Sequence, residues 1–383
     1  MGDMMSAPLG TMPPPAGQKP ISAGGRQLLD LLIRRGAVAQ ADVPRLLHLS
    51  QSSVARLVGE FARAGLVTLA SRKAAGPGNP SAMVRLDADF AFTLGVAITG
   101  DAVSMAVVDL AGGVRGYESV AMPDMAPDRV VAELRRMRDT LLASAAIDRE
   151  RLIGAGVGFS GFFVGDPLRF SPPPLLAAWA DVDIVGTLTD ALGMPVLCDN
   201  DATAATIYEC LLGAGRTCPT FAYCHLTNGF GGGLAIDGRV VRSWMANAGD
   251  FGGVWWLLDR GYPNLDLLLR RVNAAGARFT TVEEMIGAIS CATPGVDMWL
   301  DEAVVPFGML VSILGHVVSP EKVVIGGRIP PDIAAALAER IAPPRTPMRN
   351  NAHFPLPTVI ASEATGDTVA FGAGLLPFAA RFF

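Results

Sequence analysis

The sequence predicts an α/β protein in two parts, a small helical head and a larger body of alternating strands and helices. Three observations carry this. Residues 24–64 show helical apolar periodicity in three short blocks, followed by two β-like runs. From residue 90 the texture changes to Val- and Ala-rich runs alternating with helical stretches, the pattern of an α/β body with mixed sheets. The charge is also divided: residues 1–90 carry +4 and the remainder −9, within a net charge of −5. A basic head on an acidic body suits a polyanionic partner for the head alone.

Residues 1–20 are rich in Pro, Gly and Met without periodicity and are expected to form a disordered lead-in. The head is expected over 21–88. Its first helix is "GRQLLDLLIRRG", stopped by Gly36, and its second lies in "AQADVPRLLHLS". The third, "SQSSVARLVGEFARAG", places Val54, Leu57, Val58 and Phe61 on one face. Ser50 is positioned to cap it, Leu49 to staple it and Gly65 to end it. "LVTLASRKAAGPGNPSAMVRL" then gives two strands around a Gly/Pro turn. Three short helices and a hairpin make a winged helix-turn-helix, whose third helix enters the major groove. Gln51, Ser52, Ser53 and Arg56 are the candidate groups for base edges or phosphates, and Arg72 and Lys73 on the wing for phosphates. A small helical interaction domain with solvated arginines is the alternative.

In the body, "FTLGVAITGDAVSMAVVDLAGG" reads as two strands joined by a tight turn, and "DRVVAELRRMRDTLLASAAI" as a helix. "LIGAGVGFSGFF" and "MPVLCDN" read as buried strands, "ATAATIYECLLGAG" as a helix, "TFAYCHLTNGFGGGLAIDGRVV" as a hairpin and "EKVVIGG" as a late strand. The apolar stretch from Ala303 to Pro320 is broken by Pro306, Gly308, Gly315 and His316, and is expected to be a buried helix rather than a membrane span. Five cysteines without a C-x-x-C pair suit free thiols in a reducing cytoplasm. The four histidines, His48, His225, His316 and His353, lack ligand partners at metal spacing and are expected to be structural.

Taken in order, the head, "DNDATAA", "LTNGFGGGLAIDGRV", "NAGDFGG", "EKVVIGGRI" and "GDTVAFGAGLL" resemble the ROK family of repressors, open reading frames and sugar kinases. The resemblance covers nearly all of residues 24–383. It implies an actin-like ATPase (ribonuclease H-like) body over 89–383, with lobe 1 at about 89–197 plus 366–383 and lobe 2 at about 198–365. A ROK body with a winged helix head looks like the repressor branch, whose members respond to sugars.

The sequence departs from the family at several points. ROK kinases open with a D-x-G-G-T phosphate loop; here it is "AITGD", with Ala97, Thr99 and Asp101 at the changed positions. Asp101 would set a negative charge beside a triphosphate, which opposes phosphoryl transfer. In the second phosphate loop, Thr227 to Gly233, Asn228 replaces the usual threonine. In the segment that precedes the family's zinc motif, Asp250 replaces a glutamate and Gly253 a histidine, and the following residues contain no Cys or His. No metal is expected, and apolar packing by Trp255 and Trp256 is expected to hold the segment instead. "GNP", Gly78 to Pro80, stands at the wing where "GRP" is common.

"MPVLCDND" puts polar groups at the carboxyl end of a strand, where open α/β sheets bind ligands. The resemblance implies that Asn200 and Asp201 hold sugar hydroxyls, and that Asp201 is the catalytic base if the protein is a kinase. An amide with a carboxylate suits vicinal hydroxyls; capping of the next helix is the other role for either residue. Asn247 and Asp250 are further ligand candidates. Ser160 and Gly161 match a loop near the sugar, or are a plain strand-end turn. Trp179 is expected to pack in the core, and Asp199 to be a structural neighbour rather than half of a glycosidase pair. The expected function is a cytoplasmic transcriptional regulator acting as a repressor, with operator DNA and a sugar or polyol as partners, no cofactor, no membrane, and homodimeric or homotetrameric assembly. The alternatives are an ATP-dependent sugar kinase and a ligand-free DNA-binding scaffold.

Overall fold

The computed structural model describes residues 8, 10–12, 20–70, 82–165, 169–258, 263–344 and 354–383, with backbone alone for 256–258. Arg72, Lys73, Gly78 to Pro80 and His353 lie outside the described residues, and Trp256 outside the described side chains.

The head comprises α1 (Ala23–Arg35), β1 (Ala37–Ala39), α2 (Val43–Leu47), α3 (Gln51–Arg63), β2 (Val67–Ala70) and β3 (Met83–Leu86). The strands form an antiparallel sheet in the order β1-β3-β2. The Ser50 hydroxyl accepts from the Ser53 N–H at 3.1 Å and so caps α3. Val54, Leu57, Val58 and Phe61 are buried, as the spacing requires, and Gly65 takes a left-handed φ of 79° after the helix.

The first lobe begins with an antiparallel meander, β4 (Phe92–Ile98), β5 (Ala102–Asp109) and β6 (Val114–Ala121). After α4 (Pro127–Ser144), β7 (Leu152–Phe159) joins β4 in parallel. The short antiparallel pair β8 (Phe162–Val164) and β9 (Arg169–Ser171) and helix α5 (Ile184–Leu192) lead to β10 (Val196–Asn200), parallel to β7. Helix α6 (Asp201–Leu211) follows at once.

The second lobe repeats this plan. An antiparallel meander of β11 (Phe221–Leu226), β12 (Phe230–Ile236) and β13 (Arg239–Val240) precedes α7 (Gly252–Leu258), α8 (Leu265–Ala274), α9 (Val282–Ile286) and α10 (Val296–Val317). Then β14 (Lys322–Gly327) joins β11 in parallel, α11 (Pro331–Arg340) follows, and β15 (Thr358–Ala361) adds in parallel to β14. Each five-stranded sheet thus has three antiparallel strands, with the fourth laid parallel beside the first and the fifth parallel beside the fourth. Helix α12 (Thr368–Arg381) returns to the first lobe and packs on β4, β7 and α6. The approach is close: a Cβ on Gly95 would stand 1.9 Å from the Ala370 carbonyl oxygen, and one on Gly372 1.9 Å from that of Ala204.

Helix α10 is long and apolar enough to cross a membrane by length and composition. Here its Trp299, Leu300, Ala303, Phe307, Leu310, Val311 and Leu314 are buried in the core of the second lobe. The head is latched to the body. Arg34 on α1 donates to the carbonyls of Cys210 at 2.6 Å and Gly238 at 2.7 Å. Arg216 donates in return to the Arg34 carbonyl at 2.7 Å, and Arg26 to that of Phe383 at 2.8 Å.

Two expectations shift. The lobe boundary at 197 falls inside β10, which stays in the first sheet to Asn200 because its backbone pairs with β7 as far as Phe159. In the lead-in, residues 10–12 are placed against the body: a Cβ on Gly10 would lie 2.3 Å from the Val196 carbonyl oxygen, and Met12 packs beside Gly154. β10 is an edge strand, and its flank gives Met12 apolar surface to cover.

Candidate functional site

β10 delivers three polar side chains in succession, and each meets a different task. Asp199 is fully buried. It accepts from the Asn200 N–H at 2.9 Å and pairs with the Arg242 guanidinium. Burial pushes its carboxyl up, and Arg242 opposes that shift. The pair pins the 241–250 loop to the end of β10.

Asn200 is the N-cap of α6. Its Oδ1 accepts from the Thr203 N–H at 3.0 Å, and its Nδ2 donates to the Gly161 carbonyl at 2.5 Å. Capping and site geometry therefore share one side chain. Asp201 opens the helix and is 7% exposed. It accepts from the Ala202 N–H at 2.8 Å and from the Ser160 hydroxyl. Gly161 has φ 142°, and a Cβ there would lie 2.6 Å from the Ser171 carbonyl oxygen. Only glycine lets the β7 end turn this closely past β9.

The 241–250 loop supplies the opposite wall. Asn247 clamps the Phe163 backbone, accepting from its N–H and donating to its carbonyl, both at 2.8 Å. Its amide thereby joins the loop to β8, and a second amide proton and lone pair remain beside the cleft that it lines. Asp250 stands at the mouth. Partial desolvation and the nearby Asp201 push its carboxyl up, against a backbone hydrogen bond from Gly252. Gly161, Asn200, Asn247 and Asp250 line one narrow cleft with Thr203 and Gly231. Its free volume of about 20 Å³ is water-sized, so a polyol enters only when the walls part. Asn200 retains a second amide proton for such a ligand, while Asp201 and Ser160 stand behind the lining and do not face this cleft.

The "AITGD" turn is occupied by an ion cluster. Asp101 is 8% exposed and accepts from Arg328 at 2.6 Å. Arg328 also donates to Glu283 at 2.6 Å and to the Asn228 side-chain oxygen at 2.8 Å. Asp101 additionally accepts from the Glu283 N–H at 3.3 Å. The cluster ties the first lobe to the second. In the core of the second lobe, Trp255 is 1% exposed and meets the rings of Phe230 and Phe307 edge-on at 5.1 and 5.8 Å, the apolar packing expected of it. Trp179 is wholly buried and donates to the Met125 carbonyl at 2.8 Å, again a core role.

On the head, Gln51, Ser52 and Arg56 are exposed on α3. Arg56 pairs with Glu60 at 2.9 Å. Ser53 is half-buried, and its hydroxyl accepts from Ser50 at 2.9 Å within the cap. Sequence reasoning missed Arg242, Arg328 and Glu283. Their partners lie 43, 227 and 45 positions away in the chain, and no local pattern announces such pairs.

Residues 93–256 match the family model described as ROK family. The protein y4fQ of Sinorhizobium fredii is 28% identical over 367 residues, which is 95% of this chain and 92% of its own. The xylose repressor of Bacillus subtilis is 20% identical over 226 residues, 59% of this chain and 58% of its own. A crystal structure of a ROK family transcriptional regulator, a homologue of the E. coli MLC protein, superposes with a TM-score of 0.57 at 18% identity, covering 94% of this chain and 96% of that one. A ROK family glucokinase from Streptomyces griseus, in complex with glucose and AMPPNP, superposes with a TM-score of 0.52 at 21% identity, covering 74% of this chain and 98% of that one. The body therefore has the actin-like, sugar kinase-like α/β fold, and the chain carries a ROK family domain.

Proposed function

We propose that this chain is a DNA-binding transcriptional repressor, in which a sugar or related polyol bound at the end of β10 controls a winged helix-turn-helix head. The observation that carries the reading is the pairing of Asp101 with Arg328. It sets a carboxylate in the turn that would have to close on a triphosphate, while Asn200, Asp201, Ser160 and Gly161, joined by hydrogen bonds at the end of β10, keep groups that suit a sugar hydroxyl. A body of this kind recognises a sugar without phosphorylating it and needs no cofactor. The head, over 21–88, gives the recognition something to control. Gln51, Ser52 and Arg56 on the exposed face of α3 meet the major groove, with Ser53 at the helix start and Arg72 and Lys73 on the wing meeting phosphates.

Helix α6 supplies the link between the two. It starts at Asp201 in the hook and ends beside Cys210, whose carbonyl receives Arg34 of the head. Eleven residues make a rod of about 16 Å. A ligand that parts the cleft walls shifts the N-terminus of this rod and so moves the latch at its other end. In a homodimer or homotetramer in the cytoplasm, that motion changes the spacing of two heads and their fit to paired half-sites.

Fluorescence anisotropy with a labelled duplex from upstream of the protein's own coding sequence tests this. Tight, salt-dependent binding relieved by one member of a sugar and polyol panel is expected. Binding no tighter than to a scrambled duplex, with no response to any sugar, refutes it. A sugar kinase with Asp201 as base is the competing reading, since glucokinases share the fold; Asp101 and its ion cluster oppose it.

A further inference from the structure

A cavity of about 610 Å³ lies at the joint between head and body, beside the latch. Arg34 and Arg35 of the head line it together with Arg216, Lys322 and Glu363 of the body. Its charge is out of keeping with its surroundings, since the chain as a whole carries −5. Arg34 is matched by Asp30 at 2.9 Å. Arg35, Arg216 and Lys322 then share the lining with the single carboxylate of Glu363. Glu209 lies behind the wall, with its carboxylate taken up by the Ser362 hydroxyl and by the Ala214 N–H at 3.0 Å. Cations gathered around one space repel each other unless something neutralises them.

These donors are also uncommitted. Among the described residues, neither Arg35 nor Lys322 makes an ion pair or a side-chain hydrogen bond. Arg216 spends its Nε on the Arg34 carbonyl at 2.7 Å and keeps both terminal amino groups unbonded. The Tyr208 and Thr365 hydroxyls on the same lining have no hydrogen-bond partner among the described residues either. The C-terminus of α1 favours a cation at Arg35 by itself, but Lys322 opens strand β14 and has no such reason to be here. Solvated cations on a convex surface are ordinary; these surround a concave space within the usual range for small ligands, roughly 300–1,000 Å³. Guanidinium groups take carboxylate or phosphate oxygens in pairs, and an ammonium adds a point charge. A duplex backbone, by contrast, calls for a basic stripe along an open face.

We propose that this joint is a binding site for a small organic polyanion with two or more carboxylate or phosphate groups, received by Arg35 from the head and by Arg216 and Lys322 from the body. Such a ligand bridges head and body and reinforces the latch made by Arg34 and Arg216. The site is separate from the hook, because none of its residues lines the cleft at the end of β10.

Calorimetric titration of the full chain with tricarballylate, 2-phosphoglycolate and glycerol tests it. Neither anion has an alcohol group for the hook, and comparing the two separates carboxylate from phosphate recognition. At least one anion is expected to bind with a Kd below about 1 mM, at least roughly tenfold more tightly than glycerol, and more weakly as salt rises. Arg35→Gln and Lys322→Gln should each weaken it by about tenfold or more, and Glu363→Gln, which removes the opposing charge, should tighten it. Arg35 is exposed and Lys322 half-buried, so neither variant removes core packing. Binding of neither anion below about 1 mM, or binding indifferent to both substitutions, overturns the proposal. So do variants that weaken a random DNA duplex but not the anion, which would make the joint a DNA-backbone surface. The titration needs neither sugar nor DNA, so its failure leaves the reading of the hook standing.

Discussion

Asp199→Asn is the substitution whose cost follows most directly from the geometry. Asp199 is wholly buried and the Arg242 side chain is 11% exposed, so the change leaves a guanidinium without its counter-charge in a nearly dry site. Removing one partner of a buried pair costs about 3–5 kcal/mol. Burial already works against the ionised Asp199, and asparagine keeps an acceptor for the Asn200 N–H, so the lower end, about 3 kcal/mol, is expected. At about 2–4 °C per kcal/mol, that is a fall in Tm of roughly 6–12 °C by calorimetry. The double variant Asp199→Leu with Arg242→Met replaces both charges with apolar groups and should recover most of the loss. Because Arg242 anchors the loop bearing Asn247 and Asp250, the single variant should also bind any hook ligand more weakly. A single variant within about 1 kcal/mol of the parent would refute this account of the loop, and so would a double variant as unstable as the sum of its parts.

Three other outcomes follow. Arg34→Gln removes the charge-assisted contacts to Cys210 and Gly238; in anisotropy it should retain DNA binding but lose its response to the effector, and an intact response would remove α6 from the coupling. Arg56→Ala should weaken operator binding and lower the salt slope by about 1, while stability changes by less than about 1 kcal/mol because its pair with Glu60 is exposed; unchanged affinity would take Arg56 out of the interface. Burial holds the His225 imidazole below its ordinary value of 6.5, against the raising influence of Asp201 and Asp367. The unfolded chain therefore takes up this proton first, and the folded state loses stability as pH falls below about 6.5. Raised carboxyls such as Asp199, Glu209 and Asp250 act in the opposite sense. The comparison with His225→Gln isolates the imidazole: chemical denaturation from pH 7.5 to pH 5 should show a smaller loss in the variant, and parallel curves would contradict it.

The head was legible because its signals are local: apolar spacing in α3, Ser50 before it and Gly65 after it. β10, α6 and β14 were legible for the same reason. α12 was not, since Gly372, Gly374 and Pro377 weaken a helix on propensity alone. Packing outweighs that penalty, because those glycines let the helix lie against Gly95 and Ala204. β6 escaped notice because its exposed, polar alternation marks an edge strand with one wet face. In the hook, the family resemblance implied that Asn200, Asp201, Ser160 and Gly161 share one neighbourhood but did not show that Asn247 also bonds the Phe163 backbone. The Asp101–Arg328–Glu283 cluster and His225, whose ring nitrogens have no hydrogen-bond partner among the described residues, depend on how the two lobes meet, which no window of sequence contains.

The central claim is that the body keeps a hydroxyl hook but cannot transfer phosphate. A coupled ADP-release assay of the full chain with Mg-ATP over a panel of aldoses and polyols tests it most directly. The account predicts no turnover above background, identical for the parent and Asp201→Asn. Sugar-dependent turnover that Asp201→Asn abolishes would contradict it and make the protein a kinase.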